Sequence, residues 1–372
     1  MIMDWEKVRA EFPLCKKYTY LNAAGGSPVS ASAATEAKRF YDEMLYEGDN
    51  YWDEWLQRTE AVRGKLAAYL QASKEDVAFT INTSTAQNYI AQMIGNEGDV
   101  LTMRDEFPST TIPWLNAGCK LQFVEPVKGG YPMSKIEDCL TEKTRIILSS
   151  HVQFNTGFRQ DMDALAAICK KHDLTLVVNA TQSLGPFSLN MEELNIGALT
   201  FTGLKWFTAG YGIAGMYVSR KIREKTKFPV AGWRSTVDIE NMNNKDFTLR
   251  NDASVLEAGC PHFPNIFALG GALDLFNHVG QGNAEKRVLS LNRYLETKLM
   301  EYNLPVIPVK NEKSRSGISI IETTNAKFIV DSLADKRIYV SARGRGIRVS
   351  VNIFNNFEDI DIFVKQLKDF FP

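Results

Sequence analysis

Residues 174–206 read LTLVVNATQSLGPFSLNMEELNIGALTFTGLKW, and this stretch decides the fold. Its two apolar runs, 174–178 and 198–202, are typical of buried strands in a parallel sheet. Polar side chains follow both runs, Asn179 directly after the first and Lys205 shortly after the second. Because open α/β sheets bind ligands at the carboxyl ends of their strands, we expect both residues at a ligand site, with Lys205 a candidate Schiff-base nucleophile.

The same alternation of strands and helices continues along most of the chain. Apolar runs predict strands at 77–81, 100–103, 121–124, 145–150, 174–178, 198–202 and 213–218. Helical patterns separate them, and the clearest begins at the cap residue Asp161. From about Asn283 onward the pattern predicts a long amphipathic helix, short strands near 317–321, 338–341 and 347–351, and a last helix after Asn355. The sequence therefore predicts an α/β fold with a mostly parallel sheet of seven strands, plus a smaller α+β C-terminal domain.

Composition and charge favour an enzyme that acts on a small molecule. The chain has 372 residues, with 43 basic and 44 acidic side chains and a net charge of −1. This balance offers no electrostatic footprint for nucleic acid or an anionic membrane. No apolar run reaches the roughly 20 residues of a membrane span, and the first residues lack a signal-peptide core. The five cysteines are scattered, so we expect reduced thiols, a cytoplasmic location and no metal site.

At 179–205 the sequence resembles the class V aminotransferase family of pyridoxal-phosphate (PLP) enzymes, which have the PLP-transferase fold of type I. The family includes cysteine desulfurases, kynureninases, selenocysteine lyases and isopenicillin-epimerase-like enzymes. The resemblance covers nearly the whole chain and implies a homodimer with shared active sites. It implies an N-terminal segment 1–20 that packs with the small domain, a large PLP-binding domain at 21–260, and a connecting helix and small domain at 261–372.

The resemblance also implies individual cofactor contacts in this stretch. Lys205 would carry PLP, Gln182 would lie beside its phenolic oxygen, and Thr202 would also contact it. At position 179 the family has an aspartate, and this chain has Asn179. A carboxylate keeps the pyridine nitrogen protonated by charge pairing, whereas a neutral amide offers only a hydrogen bond. Three explanations stay open: a natural enzyme that needs a weaker electron sink, a substitution introduced to slow turnover, and a homologue that has lost activity.

Two segments upstream resemble the family's cofactor contacts. The run Asn82-Thr83-Ser84-Thr85 follows strand 77–81 and opens a helix, where free backbone N–H groups can bind phosphate. It resembles the family's phosphate cup, to which Thr83 and Ser84 would add hydroxyl groups. Phe107 resembles the residue that stacks on the pyridine ring. Within 151–161, either Gln153 or Asn155 would reach the ring oxygen, and the sequence leaves that choice open.

The remaining predicted contacts concern the substrate and the partner subunit. Arg348 resembles the family's carboxylate-binding arginine, whereas Arg343 and Arg345 are expected to be surface residues or secondary contacts. Asn22 belongs to an N-terminal loop beside the substrate in the resembling family. Segments 231–236 and 256–262 resemble those that cross the dimer interface. They contain Trp233, expected at the cofactor, Cys260, where relatives often have a phosphate-binding threonine, and His262, expected to shape the substrate pocket.

The reaction subclass is predicted partly from the lack of a cysteine in the last part of the sequence. Cysteine desulfurases use a mobile nucleophilic cysteine late in the chain, and no cysteine follows Cys260 here. We therefore predict a PLP-dependent enzyme that acts on an amino acid and resembles an aminotransferase more than a persulfide-forming desulfurase. Elimination, epimerisation and C–C cleavage stay open as alternatives, as does a PLP-binding homologue without turnover because of Asn179.

Overall fold

The computed structural model describes residues 3–240, 244–309 and 311–371. Its strands are β1 (Thr19–Tyr20), β2 (Val77–Thr80), β3 (Asp99–Met103), β4 (Leu121–Val124), β5 (Thr144–Ser150), β6 (Thr175–Asn179), β7 (Ile196–Thr202), β8 (Ala214–Val218), β9 (Ile318–Glu322), β10 (Ile338–Tyr339), β11 (Ser341–Arg343) and β12 (Gly346–Ser350). Its α-helices are α1 (Trp5–Ala10), α2 (Ala31–Glu47), α3 (Trp52–Leu70), α4 (Thr83–Ile94), α5 (Pro108–Asn116), α6 (Met133–Asp138), α7 (Met162–Lys171), α8 (Arg220–Arg223), α9 (Phe263–Val279), α10 (Gln281–Glu301), α11 (Ala326–Asp335) and α12 (Phe357–Leu367).

The central sheet has seven strands in the order β2-β8-β7-β6-β5-β3-β4. Only β8 runs antiparallel to its neighbours, β2 and β7. Successive residues of β6 point to opposite faces, so Leu176 and Val178 belong to one core cluster and Val177 to the other. Both faces are covered, which explains why these strands read as continuous apolar runs. The predicted mostly parallel sheet is confirmed, and each strand bound lies within about two residues of its expected place.

The C-terminal part contains a three-stranded antiparallel sheet, β11-β12-β9, with α10 and α12 packed together beside it. The prediction of one strand at 338–341 is wrong. The chain there forms two short strands, because β10 pairs with β1 whereas β11 pairs with β12. Apolar patterning could not reveal this, since it does not show a change of partner strand.

The N-terminal segment contacts this C-terminal part directly. Thr19 and Tyr20 pair in parallel with β10, and Arg9 Nη1 lies 2.8 Å from Asp359 Oδ2. The predicted boundaries of the domains stay predictions. In the part of the chain that the structure describes, every helix is too short or too polar to cross a membrane.

Candidate active site

A cavity of about 310 Å³ lies at the carboxyl edge of the central sheet, facing the β11–β12 hairpin. The predicted site residues that line it are Thr83, Ser84, Phe107, Asn179, Gln182, Thr202, Lys205 and Arg348. We call the side formed by Asn179, Gln182 and Thr202 the sheet wall, and the side formed by Arg343 and Arg348 the arginine wall. Lys205 follows β7 and lines the same cavity.

The N-terminus of α4 forms one end of the cavity. Asn82 caps this helix with its side chain. Among the described residues, the backbone N–H groups of Thr83 and Ser84 have no hydrogen-bond acceptor. The two hydroxyl groups are held by neighbours, since Thr83 Oγ1 lies 2.9 Å from Thr181 Oγ1 and Ser84 Oγ donates to Ser109 Oγ at 2.8 Å. Free N–H groups at a helix N-terminus are suited to an anion.

Lys205 is the amine of the site. Burial, together with the positive charges of Arg348 and Arg343, lowers the pKa of Lys205 to about 7. Its Nζ lies 5.7 Å from the centre of the Phe107 ring. Phe107 in turn contacts the edge of Phe154, with 5.1 Å between ring centres. A substantial share of Lys205 is therefore a neutral, nucleophilic amine near neutral pH.

The turn that carries Lys205 is held in place by the following residue, Trp206. Trp206 is fully buried, and its Nε1 donates to Gln182 Oε1 at 3.0 Å. Gln182 Nε2 donates to the Ala24 carbonyl at 3.1 Å, so both ends of this amide are bonded within the protein. Gly185 has φ +128, and a Cβ there would lie 2.9 Å from the Trp206 carbonyl carbon. Glycine is required at 185 both for this backbone conformation and for the close approach.

Asn179 is buried at the end of β6, with both ends of its amide bonded. Its Oδ1 accepts from the Thr181 backbone N–H at 3.0 Å, which fixes the orientation of the amide. Its Nδ2 donates to Thr110 Oγ1 at 2.7 Å. Thr110 also hydrogen-bonds through its hydroxyl to the carboxyl group of Glu106. The residue that replaces the expected aspartate is thus linked through one threonine to a buried carboxyl group.

Glu106 is a residue that sequence reasoning missed. Its carboxyl group accepts from the Ser150 N–H at 2.7 Å, from the Ser150 hydroxyl and from Gln153 Nε2 at 2.9 Å. Burial raises the pKa of Glu106, and these hydrogen bonds together with that of Thr110 oppose the rise. No signal in the sequence marks Glu106 as buried, because a glutamate in a loop is usually exposed. Gln153 is occupied by this contact and does not line the cavity.

The arginine wall carries two positive charges that have no ion-pair partner among the described residues. Arg348 Nη1 donates to the Phe154 carbonyl at 2.9 Å, while its buried Nε has no partner in the described parts of the chain. Burial lowers the pKa of Arg348 to about 10, and the nearby Arg343 contributes. Arg343 also lines the cavity, whereas Arg345 is ion-paired with Glu322 and does not. Of the two arginines expected to be surface residues or secondary contacts, only Arg343 thus lines the site.

A comparison with protein families identifies the family of this chain. The family model described as Aminotransferase class-V matches residues 19–363. The chain belongs to the class V aminotransferase family. An uncharacterized aminotransferase of Bacillus subtilis, YcbU, is 23% identical over 359 residues, covering 95% of both chains. A probable cysteine desulfurase of Methanothermobacter thermautotrophicus is 23% identical over 398 residues, covering 99% of this chain and 98% of its own.

Solved structures show the same fold. The apo structure of a cysteine desulfurase from Thermococcus onnurineus NA1 superposes with a TM-score of 0.90 at 21% identity, over 100% of this chain and 98% of its own. The fold is therefore that of the PLP enzymes of type I, and this class V protein is a PLP-dependent enzyme. The cavity fits that cofactor, because free N–H groups at α4 suit its phosphate and Lys205 suits its aldehyde.

Three predicted site residues do not line this cavity. Trp233 lies in a separate hollow of about 930 Å³, formed by residues on either side of the segment 241–243. His262 lines a third hollow, of about 270 Å³, together with the exposed Cys260. Asn22 does not line the cavity itself, but its side chain lies against Gly25, which does, and its buried Oδ1 has no partner among the residues that the structure describes. Within one chain these three side chains are thus not part of the lining around Lys205.

Asn155, the other residue left open for the ring oxygen, also lies outside the cavity. Its Oδ1 is buried and has no hydrogen-bond partner within the described ranges. Neither Gln153 nor Asn155 therefore lines the cavity, and a contact of either one with the ring oxygen stays a prediction. The segment instead contributes Ser150 and Phe154 to the lining.

Proposed function

We propose that this class V enzyme is an aminotransferase-like protein that binds an amino acid by its α-carboxylate. The observation that carries the proposal is the pairing, in one cavity, of an amine with a lowered pKa and a buried arginine with a free Nε. Arg348 can offer two parallel N–H donors to a carboxylate, which fixes the orientation of the substrate. Lys205 then faces the same bound molecule.

In this proposal the sheet wall and α4 hold the cofactor. The backbone N–H groups and hydroxyls of Thr83 and Ser84 bind its phosphate, and Phe107 covers one face of its ring. Asn179 would contact the ring nitrogen and Gln182 the phenolic oxygen, since each has one amide N–H left after its contacts inside the protein. PLP supplies an electron-withdrawing ring that stabilises negative charge at the substrate α-carbon.

The reacting groups of the chain have separate tasks. Lys205 Nζ attaches the cofactor and moves a proton at the α-carbon of the bound amino acid. Arg348 holds the α-carboxylate, so that the bond to be broken keeps one orientation relative to the ring. Phe107 and Phe154 cover part of the cavity with apolar surface and limit the access of water.

A persulfide-forming reaction is not part of the proposal. That reaction needs a thiolate beside the substrate, and no cysteine is among the described residues that line the cavity. Relatives named as cysteine desulfurases share the family and the fold, so the distinction depends on this missing thiol. The five cysteines are unpaired, which is consistent with the reduced state of a cytoplasmic enzyme.

We also propose a homodimer in which a partner copy completes each site. Trp233 and His262 belong to segments that resemble the interface of the family, and neither reaches the cavity of its own chain. Trp233, Val237 and Phe247 expose apolar surface around the hollow of about 930 Å³. Burial of this surface against a second copy would remove it from water.

The test is a screen of amino acids with the holoenzyme. α-Proton exchange in heavy water, followed by NMR, identifies the amino acids that react, and product analysis identifies the reaction. A 2-oxo acid formed without ammonia supports transamination, whereas ammonia release, racemisation or C–C cleavage would assign the alternatives. Alanine formed from cysteine and abolished by Cys260→Ser would contradict the exclusion of sulfur transfer. No exchange with any amino acid, despite bound PLP, would overturn the enzymatic proposal.

A further inference from the structure

The cavity has an unbalanced charge. Its lining includes Lys205, Arg343 and Arg348, and no aspartate or glutamate is among the described residues around it. Binding of one α-carboxylate would use Arg348 alone. Arg343 would then stay in the lining as a cation without an ion-pair partner in the described chain.

The hairpin geometry places both guanidinium groups on the same side. Ser341 of β11 lies opposite Arg348 of β12, and Arg343 lies opposite Gly346. Because side chains alternate along a strand, Ser341, Arg343 and Arg348 share one face of the hairpin. Arg343 and Arg348 are therefore diagonal neighbours, with about 7–8 Å between their Cα atoms.

Buried polar atoms on this face lack partners as well. Ser341 Oγ and Arg348 Nε have no hydrogen bond to any residue that the structure describes. Buried donors without acceptors are costly, and two like charges in one cavity repel each other. This part of the chain is thus arranged for a ligand that brings acceptors and negative charge.

The phosphate of the cofactor does not account for Arg343. The free N–H groups at the start of α4 already form a phosphate site on a different element. The other arginine of the hairpin, Arg345, is ion-paired with Glu322 and so already has a carboxylate partner within the protein. Arg343 is left for a second anionic group of the substrate.

We infer that the substrate is a dicarboxylic amino acid, whose α-carboxylate binds Arg348 and whose side-chain carboxylate binds Arg343. This inference rests on the proposed function. Arg348 is buried and held by Phe154, which suits the invariant end of the substrate. Arg343 is exposed and has no ion-pair partner in the ranges that the structure describes, so its long side chain can reach a carboxylate at a variable distance.

The first experiment compares amino acids that differ only in side-chain charge. The dissociation constants of aspartate and asparagine, and of glutamate and glutamine, are measured by absorbance titration of the holoenzyme. We expect the acid of each pair to bind about tenfold to a hundredfold more tightly than the amide, as charge-assisted hydrogen bonds predict. Arg343→Gln should remove that preference, because it should weaken binding of the acids much more than binding of the amides.

Arg345→Gln is the matched control, because Arg345 lies on the same hairpin and is bonded to Glu322 outside the cavity. It should leave the preference intact. Arg343→Lys should keep part of the preference, since a point charge replaces the planar fork. Thermal unfolding of the three variants checks that the hairpin folds as in the wild type.

A second readout does not depend on reaction with the cofactor. Succinate and propionate differ in their second carboxylate and carry no amino group. Succinate should raise the unfolding temperature of the wild-type holoenzyme more than propionate does, and Arg343→Gln should abolish the difference. Equal protection by both acids, or equal affinity for acid and amide, would overturn the inference.

The outcomes separate this inference from the proposed function. If neutral amino acids bind and react as well as acidic ones, the inference is wrong and the amino-acid enzyme stands. If no amino acid reacts, the proposed function fails, and succinate protection that depends on Arg343 would still support the two-arginine site. If no amino acid reacts and succinate gives no protection that depends on Arg343, both the proposed function and the two-arginine inference would be overturned.

Discussion

The two walls of the cavity differ in how their polar groups are bonded. On the sheet wall, Asn179 and Gln182 each use both ends of their amide in hydrogen bonds within the protein. On the arginine wall, Arg348 keeps its Nε without a partner and Arg343 has no ion pair among the described residues. The amides of the sheet wall are thus held in place by hydrogen bonds within the protein before any ligand binds, while the arginine wall keeps a buried donor and a charge without partners in the described chain.

This difference indicates two kinds of binding. A satisfied wall holds its side chains in one geometry, which lowers the cost of orienting a resident cofactor. An unsatisfied wall with like charges is costly to the free protein, and a ligand that brings carboxylates relieves this cost. This contrast supports the proposal that the sheet wall holds the cofactor and the arginine wall binds an exchanging substrate.

The largest effect is expected from Lys205→Ala, which removes the amine between the walls. The purified wild type should be yellow and lose this colour in the variant, because no other lysine lines the described cavity. Absorbance spectra after addition of PLP measure the effect. Lys225→Ala, at an exposed position, is the control and should stay yellow. A colourless wild type that takes up no PLP would contradict the assignment of Lys205.

Arg348→Lys tests the arginine wall. Lysine keeps the charge and loses the two-pronged donor, so binding of an amino acid should weaken about tenfold to a hundredfold. Binding of PLP should change little, because its predicted contacts lie on other elements. Titrations of substrate and of cofactor, made on the same preparation, measure the two effects separately. Equal binding of carboxylated and decarboxylated substrates by the wild type would count against this role.

The fold was largely predictable because its strands are buried on both faces. Continuous apolar runs identified all strands of the central sheet, and polar residues at 179 and 205 marked its carboxyl edge. The β10–β11 segment was not predictable, since a change of partner strand leaves no trace in local patterning. Strand identity follows from burial, whereas strand partnership depends on distant residues.

The site was only partly predictable for a related reason. Arg348 stands within an apolar strand and Lys205 shortly after one, and a charged side chain at either place attracts notice. Glu106 and Arg343 stand in a loop and at a hairpin end, where charged residues are expected on any protein. Their roles arise from contacts between distant elements, such as the bond of Gln153 to Glu106. Sequence patterns do not report such contacts.

Asn179→Asp is expected to change both chemistry and stability. A carboxylate at 179 would favour a protonated ring nitrogen and speed α-proton exchange, about tenfold for each pKa unit gained at the ring. Since an aspartate only accepts, Thr110 would have to donate to it and would leave Glu106 with one donor fewer. We expect the free energy of unfolding to fall by about 1–3 kcal/mol.

Thr110→Val is the matched control for this pair of effects. It removes the same donor from Glu106 without adding a carboxylate, so it should lower stability and leave the rate of exchange near that of the wild type. Chemical denaturation and NMR exchange measure the two quantities. An Asn179→Asp protein as stable as the wild type would show that the link through Thr110 to Glu106 is without consequence. If neither the wild type nor the Asn179→Asp protein exchanges the α-proton, the explanation that this homologue has lost its activity would stand.

The smallest effect concerns pH and the charges that face Lys205. With its pKa lowered to about 7 by burial and by Arg348 and Arg343, the amine is mostly protonated below that pH and mostly neutral above it. The rate of PLP uptake by the apo-protein, followed by absorbance, should therefore rise as the pH increases through about 7.

Arg343→Gln removes one repelling charge, which makes the protonated amine more stable and moves the midpoint to higher pH by a fraction of a unit. Arg345→Gln should not move it, because Glu322 already balances that charge. A midpoint near the ordinary lysine pKa in the wild type would show that the two walls do not bury Lys205 as this arrangement requires.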